Sequence, residues 1–370
     1  MSENKNEAVL EDLKAEISDR ILGKLPEEFQ DAELKFVEVT KNNDEKRNAV
    51  LIQKDGQNVT PTIYLDPYVK ALEEGSVTKD EVLDHIANLY VDNVRGADSI
   101  GDTLADSLHP GGFEQVKDMV VMQVVNTEMN AEGLKRTPHR DVEDLSIVYR
   151  LLFDRDEGGI ASAKISDTMQ QAWGVSEQDL FDAASKNTKE LLPTKILPLG
   201  QMLENLMGVN PLDGPDDPTN VMYVITNESG VNGAAVPIYD KEAMDELTDT
   251  MGGGMFLLPS SVHEFIALPA DQEHAGDNPV MDFAHMIQEV NANEVPDDEI
   301  LGTVPYHYDK EHGFELASRF EDRLAALEEE KGEHSLLGDL AEKKQEVKDY
   351  RPDPGKAART AAQQKAGEAI

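Results

Sequence analysis

Cysteine is absent from this chain of 370 residues. That excludes disulfides, thiolate metal sites and cysteine nucleophiles, and it fits a reducing compartment. Long apolar runs are absent too. The longest, MVVMQVV at Met119–Val125, is far too short to span a bilayer. The opening MSENKNEAVLEDLKAEI is charged and amphipathic, without the apolar stretch and small-residue cleavage site of a signal peptide. These absences predict a cytoplasmic protein with no membrane partner. No HExxH, calcium-loop or phosphate-loop pattern occurs, so no cofactor is expected, and no repeat of solenoid period is visible. The single tryptophan, Trp173, reads as a core residue rather than part of a ligand box.

Basic residues are the other scarcity. Lys and Arg number 34 against 74 Asp and Glu, for a formal net charge of −40. The imbalance belongs to the body: residues 1–330 hold 26 basic and 67 acidic side chains, whereas 331–370 hold eight and seven. A field of that sign repels nucleic acid and anionic membranes, because binding a phosphate backbone needs cations to replace its counterions. Direct nucleic-acid binding is therefore not expected. The acids form a solubilising surface, or they engage a basic protein partner. A nucleic-acid mimic would need a continuous acidic stripe near the phosphate spacing. Here the acids fall in short clusters at Glu27-Glu28, Asp216-Asp217, Asp297–Glu299 and Glu328–Glu330.

What is present is enough apolar material for a core, 39% of the chain. Val9, Leu10, Leu13, Ile17, Ile21 and Leu22 recur at helical spacing and predict a helix over Glu7–Leu25. Leu34–Thr40 and Ala49–Gln53 flank the polar turn NNDEKRN as a hairpin, with Thr62–Leu65 a third strand. Asp66-Pro67 supplies an N-cap and first-turn proline, and Lys79–Val94 has one apolar helical face. Val120–Val125 is β-branched enough for a strand. Leu145–Phe153 and Ile160–Ile165 are strands around DRDEGG. Ser166 and Ser176 start helices, the second running to about Leu191. Beyond the turn-rich GVNPLDGPDDPTN come strands at Met222–Thr226 and Ala234–Ile238, a helix at Lys241–Met251, two strands within Gly252–Ala270, a helix at Val280–Val290, and a hairpin of Pro305–Tyr308 with Gly313–Leu316. This order predicts an α+β fold with mixed or antiparallel sheets. The expected body is 1–316, divisible at the loop 208–219 into 1–207 and 220–316. A charged helical segment at 317–349 and a disordered, alanine-rich tail at 350–370 follow.

The stretch GGGMFLLPSSVHEFIALPA crowds Pro259, Ser260, Ser261, His263 and Glu264 between two apolar runs. Ser261 and His263, at i,i+2, share a strand face and suggest the nucleophile and base of a hydrolase, with a carboxylate from elsewhere. His263 and Glu264 are adjacent and would point to opposite faces. The glycine-bracketed serine of a nucleophile elbow is missing. The structural alternative has the serines satisfying turn backbone while His263 packs at the start of a strand. In TPHRDVED, His139, Asp141 and Glu143 are candidate metal ligands by residue type; otherwise they lead into the strand at Leu145, with Arg140 pairing locally. Gly252–Gly254 precede a strand and read as a turn, since a phosphate loop follows a strand and opens a helix. His307, His312 and His334 share no ligand spacing.

LPSSVHEFIALPAD, together with PTIYLDPYVKALEEG (Pro61–Gly75), TPHRDVEDLSIVYRLLF (Thr137–Phe153) and WGVSEQDLFDAASKNTKELLP (Trp173–Pro193), resembles a bacterial family, domain-of-unknown-function family 5688. The resemblance runs in order from about Glu11 to about Leu316. It implies a setting in gut anaerobes, often beside conjugative elements, and it carries across no activity, ligand or catalytic residue. The resulting expectation is a non-enzymatic cytoplasmic binding or accessory protein associated with mobile elements or host defence. Its rivals are an acidic nucleic-acid mimic that inhibits a DNA-binding enzyme, and a hydrolase using Ser261 and His263.

Overall fold

The computed structural model describes residues 3–156, 159–209, 221–271 and 278–327. The chain divides into two units, Met1–Ala317 and Ser318–Ile370. Residues 317–327 are helical. The expected tail at 350–370, most of the segment 317–349, and the turn-rich loop from 210 onward lie outside the described residues.

Two buried cores organise the first unit. The N-terminal one is assembled from α1 (Glu3–Arg20), the strands β1 (Glu33–Thr40), β2 (Lys46–Gln53) and β3 (Thr62–Tyr64), α2 (Asp66–Glu74) and α3 (Lys79–Ser107). Leu13 and Ile17 are four residues apart, hence on one helical face, and they meet Val50, Ile52, Leu83 and Ile86 in the buried interior. A capping box starts α3: Thr78 Oγ1 accepts from Glu81 N at 3.3 Å, and the Glu81 carboxylate accepts from Thr78 N at 2.8 Å. Two otherwise orphaned N–H groups are thereby satisfied. The helix continues past its expected end at Val94, through a stretch whose apolar periodicity fades but whose Gly101 packs directly on Val59. Asp66 is not an N-cap. Leu65 holds that position, and Asp66 Oδ2 accepts the Asn48 N–H at 2.9 Å, tying α2 to β2.

The second core lies between two further sheets. One contains β4 (Val120–Asn126), β5 (His139–Val142), β6 (Leu145–Asp156) and β7 (Gly159–Lys164); β6 pairs with β4 along one edge and with β5 and β7 along the other. The other has six strands in the order β13 (Gly313–Leu316), β12 (Tyr306–Asp309), β10 (Met255–Ser261), β11 (Glu264–Pro269), β9 (Tyr223–Asn227), β8 (Thr194–Pro198). Every pairing in the three sheets is antiparallel, so the fold is α+β, as expected. Met122, Tyr149, Ile225, Phe265 and Tyr306 meet in the interior with Trp173, which is indeed core.

Three expectations need correction. Ala234–Ile238 is helical, a 3₁₀ turn at Gly233–Ala235 followed by Val236–Tyr239 with Pro237 in the first turn. A short, largely buried apolar run carries no period to separate strand from helix. His139–Val142 is a strand rather than a loop, folded back on β6 through Glu143 in the left-handed region at φ 59°. The 208–219 loop does not separate two sub-units, because β8 pairs with β9 across it. The cores part between Val94 and Phe113 instead. No described helix is long and apolar enough to cross a membrane.

Candidate functional site

The pleat of β6 sends Ile147, Tyr149 and Leu151 into the second core and Val148, Arg150 and Leu152 to the other face. Register then sets Arg150 directly opposite Lys164 on β7. The guanidinium is held by neutral groups: Nε donates to Ser162 Oγ at 2.9 Å, Nη2 to Ser162 O at 3.2 Å, and Nη1 to Gln123 Oε1 at 3.2 Å. Among the described residues neither cation has a carboxylate within ion-pair distance. Burial holds the Arg150 pKa below the ordinary arginine value. Lys164 is exposed over the residue as a whole, yet enclosure of its ammonium, with Arg150 close by, lowers its pKa as well, against a weaker pull from Asp44.

These groups form the floor of a cleft of about 410 Å³, walled by Lys41 and Tyr64 on one side and Asn232, His263 and Glu299 on the other. That volume suits a small ligand. The three sheets meet here, and polar turns fasten the walls. Asn43, in the left-handed region at φ 60°, donates through Nδ2 to the carbonyls of Asp297 and Ile300, both at 2.7 Å, and Asn42 Nδ2 donates to Asp298 O at 2.9 Å. Lys41 sits 4.6 Å above the Tyr64 ring and 3.4 Å from Asp298. Asp298 and Glu299 of the Asp297–Glu299 cluster are thus part of the cleft wall.

His263 reaches this cleft, but not as half of a dyad. Val262 and His263 form the two-residue turn between β10 and β11, so His263 does not start a strand. Ser261 Oγ accepts the His263 main-chain N–H at 3.1 Å, and Ser260 Oγ donates to Glu264 Oε1 at 3.2 Å. The imidazole Nδ1 accepts the Asn232 N–H at 3.1 Å, which assigns the proton to Nε2, 3.7 Å from Glu299 Oε1. The His263 carbonyl accepts from Thr226 Oγ1 at 2.9 Å. Gly233 is required at this approach, since a Cβ there would lie 2.3 Å from Thr226 Oγ1 and 2.4 Å from that carbonyl. Pro259 closes the regular part of the β10–β11 ladder, ahead of an irregularity in register before Ser261. The serines of the knot therefore do structural work at the turn, and Glu264 bonds to Ser260 rather than to His263.

The other predicted cluster does not converge. His139 Nδ1 bonds to Thr137 O at 2.7 Å, its Nε2 is 3.9 Å from Asp141 Oδ1, and that oxygen accepts from Ser146 Oγ at 2.8 Å. Glu143 occupies the β5–β6 turn. Arg140 pairs at long range with Glu177 at 2.8 Å and lies 3.7 Å over the Phe181 ring. Among the described residues the grouping with ligand atoms all within 4.8 Å of one another is His307, Asp309 and Glu315. Two histidines read as scattered, His307 and His312, thus lie on one hairpin; His334 lies outside the described residues. Arg150 and Lys164 were missed by sequence reasoning. The available signal was a lone arginine inside the apolar run LSIVYRLLF.

The fold and cleft define an α+β protein of three antiparallel sheets with a polar cleft at their junction that holds Arg150 and Lys164. The chain belongs to the family of unknown function DUF5688, whose profile matches residues 10–310. Comparison with curated proteins and with solved structures yields no match.

Proposed function

We propose that this is a non-enzymatic binding protein whose cleft takes a small anionic ligand bearing a phosphate or carboxylate group. One observation supports the reading: Arg150 and Lys164 oppose each other across β6 and β7, and among the described residues no carboxylate lies within ion-pair distance of either. Like charges directly opposite in a sheet destabilise it, and a bound anion would turn that repulsion into attraction. Ser162 and Gln123 already orient the guanidinium, so little order is lost on binding. The acidic exterior disfavours long polyanions, which supports a small ligand over nucleic acid. A cytoplasmic accessory role beside bacterial mobile elements or host-defence genes rests on the family resemblance, and the acidic surface supports a basic protein partner.

The test is calorimetric titration of the full chain with phosphate, sulfate and small carboxylates against chloride at matched ionic strength. Saturable binding of at least one oxyanion is expected, weakened tenfold or more by Lys164→Gln. Responses that track ionic strength alone would overturn the reading.

A further inference from the structure

The β12–β13 hairpin brings together ligand-type side chains that do not line the cleft. Its register sets His307 directly opposite Glu315. Asp309, two residues along β12, projects from the same face as His307, because side chains alternate along a strand. Tyr306 and Tyr308, on the opposite face, are buried in the core. Three ligand-type side chains are thereby brought to one face of one hairpin. His307 is fully buried and Glu315 is 6% exposed.

The spacing distinguishes an ion pair from a ligand set. His307 Nδ1 lies 3.3 Å from Glu315 Oε1 and 3.8 Å from Asp309 Oδ2. A charge-assisted N–H···O bond closes to about 2.7–2.9 Å, and one N–H cannot aim at two carboxylates. Two atoms each about 2.0–2.2 Å from a shared ion lie roughly 2.8–3.6 Å apart at octahedral or tetrahedral angles. The first separation falls in that range and the second lies about 0.2 Å beyond its upper end.

The surroundings hold these atoms in place. Asp309 Oδ1 accepts the main-chain N–H groups of Glu311 at 2.8 Å and His312 at 2.7 Å. The His312 imidazole adds to them, its Nδ1 lying 3.0 Å from both Asp309 oxygens, so the carboxylate is anchored with Oδ2 turned toward His307 as well as His312. On the other side of the ring, a Cβ at residue 254 would lie 2.6 Å from His307 Nε2, so the run Gly252–Gly254 is what lets the backbone pass the imidazole. The same glycines and Asp309 line a surface cleft of about 520 Å³, which gives an ion a route in.

We propose that His307, Asp309 and Glu315 bind a divalent transition-metal ion, of the zinc or manganese kind. One imidazole with two carboxylates suits such ions. Calcium prefers six to eight oxygens. A protein of net charge −40 also raises the local concentration of cations.

The test uses the full chain, stripped of metal by a chelator and dialysed into phosphate-free buffer, titrated calorimetrically with Zn²⁺ and with Mn²⁺. One equivalent per chain is expected for at least one of the two. Glu315→Gln and Asp309→Asn should each weaken it tenfold or more while circular dichroism stays native. Asp249→Asn, an acid lining the same surface cleft, should leave it unchanged. Should both triad variants fail to fold, a metal-dependent rise in the melting temperature of the wild type, set against its absence in His307→Gln, provides the second readout. Lys164→Gln should not affect metal binding, which keeps this site separable from the anion cleft. No saturable binding, or one equivalent that persists in both triad variants, would overturn the proposal.

Discussion

Arg150 and Lys164 face each other from directly opposing positions on β6 and β7, two cations at the floor of a cleft in a protein of net charge −40. Acids are plentiful in the chain, yet the described residues put none within ion-pair distance of either. Instead Ser162 and Gln123, both neutral, hold the guanidinium. Like charges set directly opposite in a sheet lower its stability.

Lys164→Gln should therefore stabilise the ligand-free protein, by about 0.2–1 kcal/mol, the scale of a cross-strand charge pair. The Lys164 pKa is lowered by enclosure and by Arg150, so the folded state releases its proton before the unfolded state does, and stability rises with pH. The penalty is present in full at neutral pH and fades as pH passes the folded pKa toward the ordinary lysine value of about 10.4. Urea unfolding of both proteins between neutral pH and that value should show the gap narrowing. A gap that widens with pH would contradict the assignment.

Gly233→Ala should destabilise by about 1–3 kcal/mol, the usual range for overpacking. The added methyl would overlap Thr226 Oγ1 and the His263 carbonyl at 2.3 and 2.4 Å, both parts of the cleft wall's support. Thermal unfolding, with anion titration on the same sample, measures both effects.

Ser261→Ala should lower stability by about 1 kcal/mol, since the hydroxyl accepts a turn N–H. The companion change His263→Ala removes the acceptor for Asn232 N–H and should act in the same direction. Screening both variants and the wild type on an ester and amide panel separates the roles. Wild-type hydrolysis that vanishes in Ser261→Ala at unchanged stability would restore the hydrolase reading.

A chain ending at Glu330 should unfold cooperatively with the full-length midpoint, because the described members of both cores lie between Val9 and Leu316. Denaturant titration of the two chains checks this; a broadened transition would mean that the remainder contributes to folding.

Much of the architecture was legible because it is local. The capping box at Ser176/Asp179 is short-range chemistry written in consecutive residues, and the apolar periodicity of Lys79–Val94 needs only the helix itself. The β10–β11 and β12–β13 hairpins follow from paired apolar runs joined by short polar turns. Largely buried segments such as Ala234–Ile238 were not legible, because burial removes the polar half of the pattern.

By itself the sequence determined the fold class, the family, most elements and the sign of the protein's field, since composition, periodicity and caps act over a few residues. Only the tertiary structure decided the sites. Whether Arg150 meets Lys164, and His307 meets Glu315, depends on strand register, and a slip of one residue would send each side chain to the other face. Register comes from how whole sheets bury their apolar faces, a property of the assembled core that no single stretch of the chain contains.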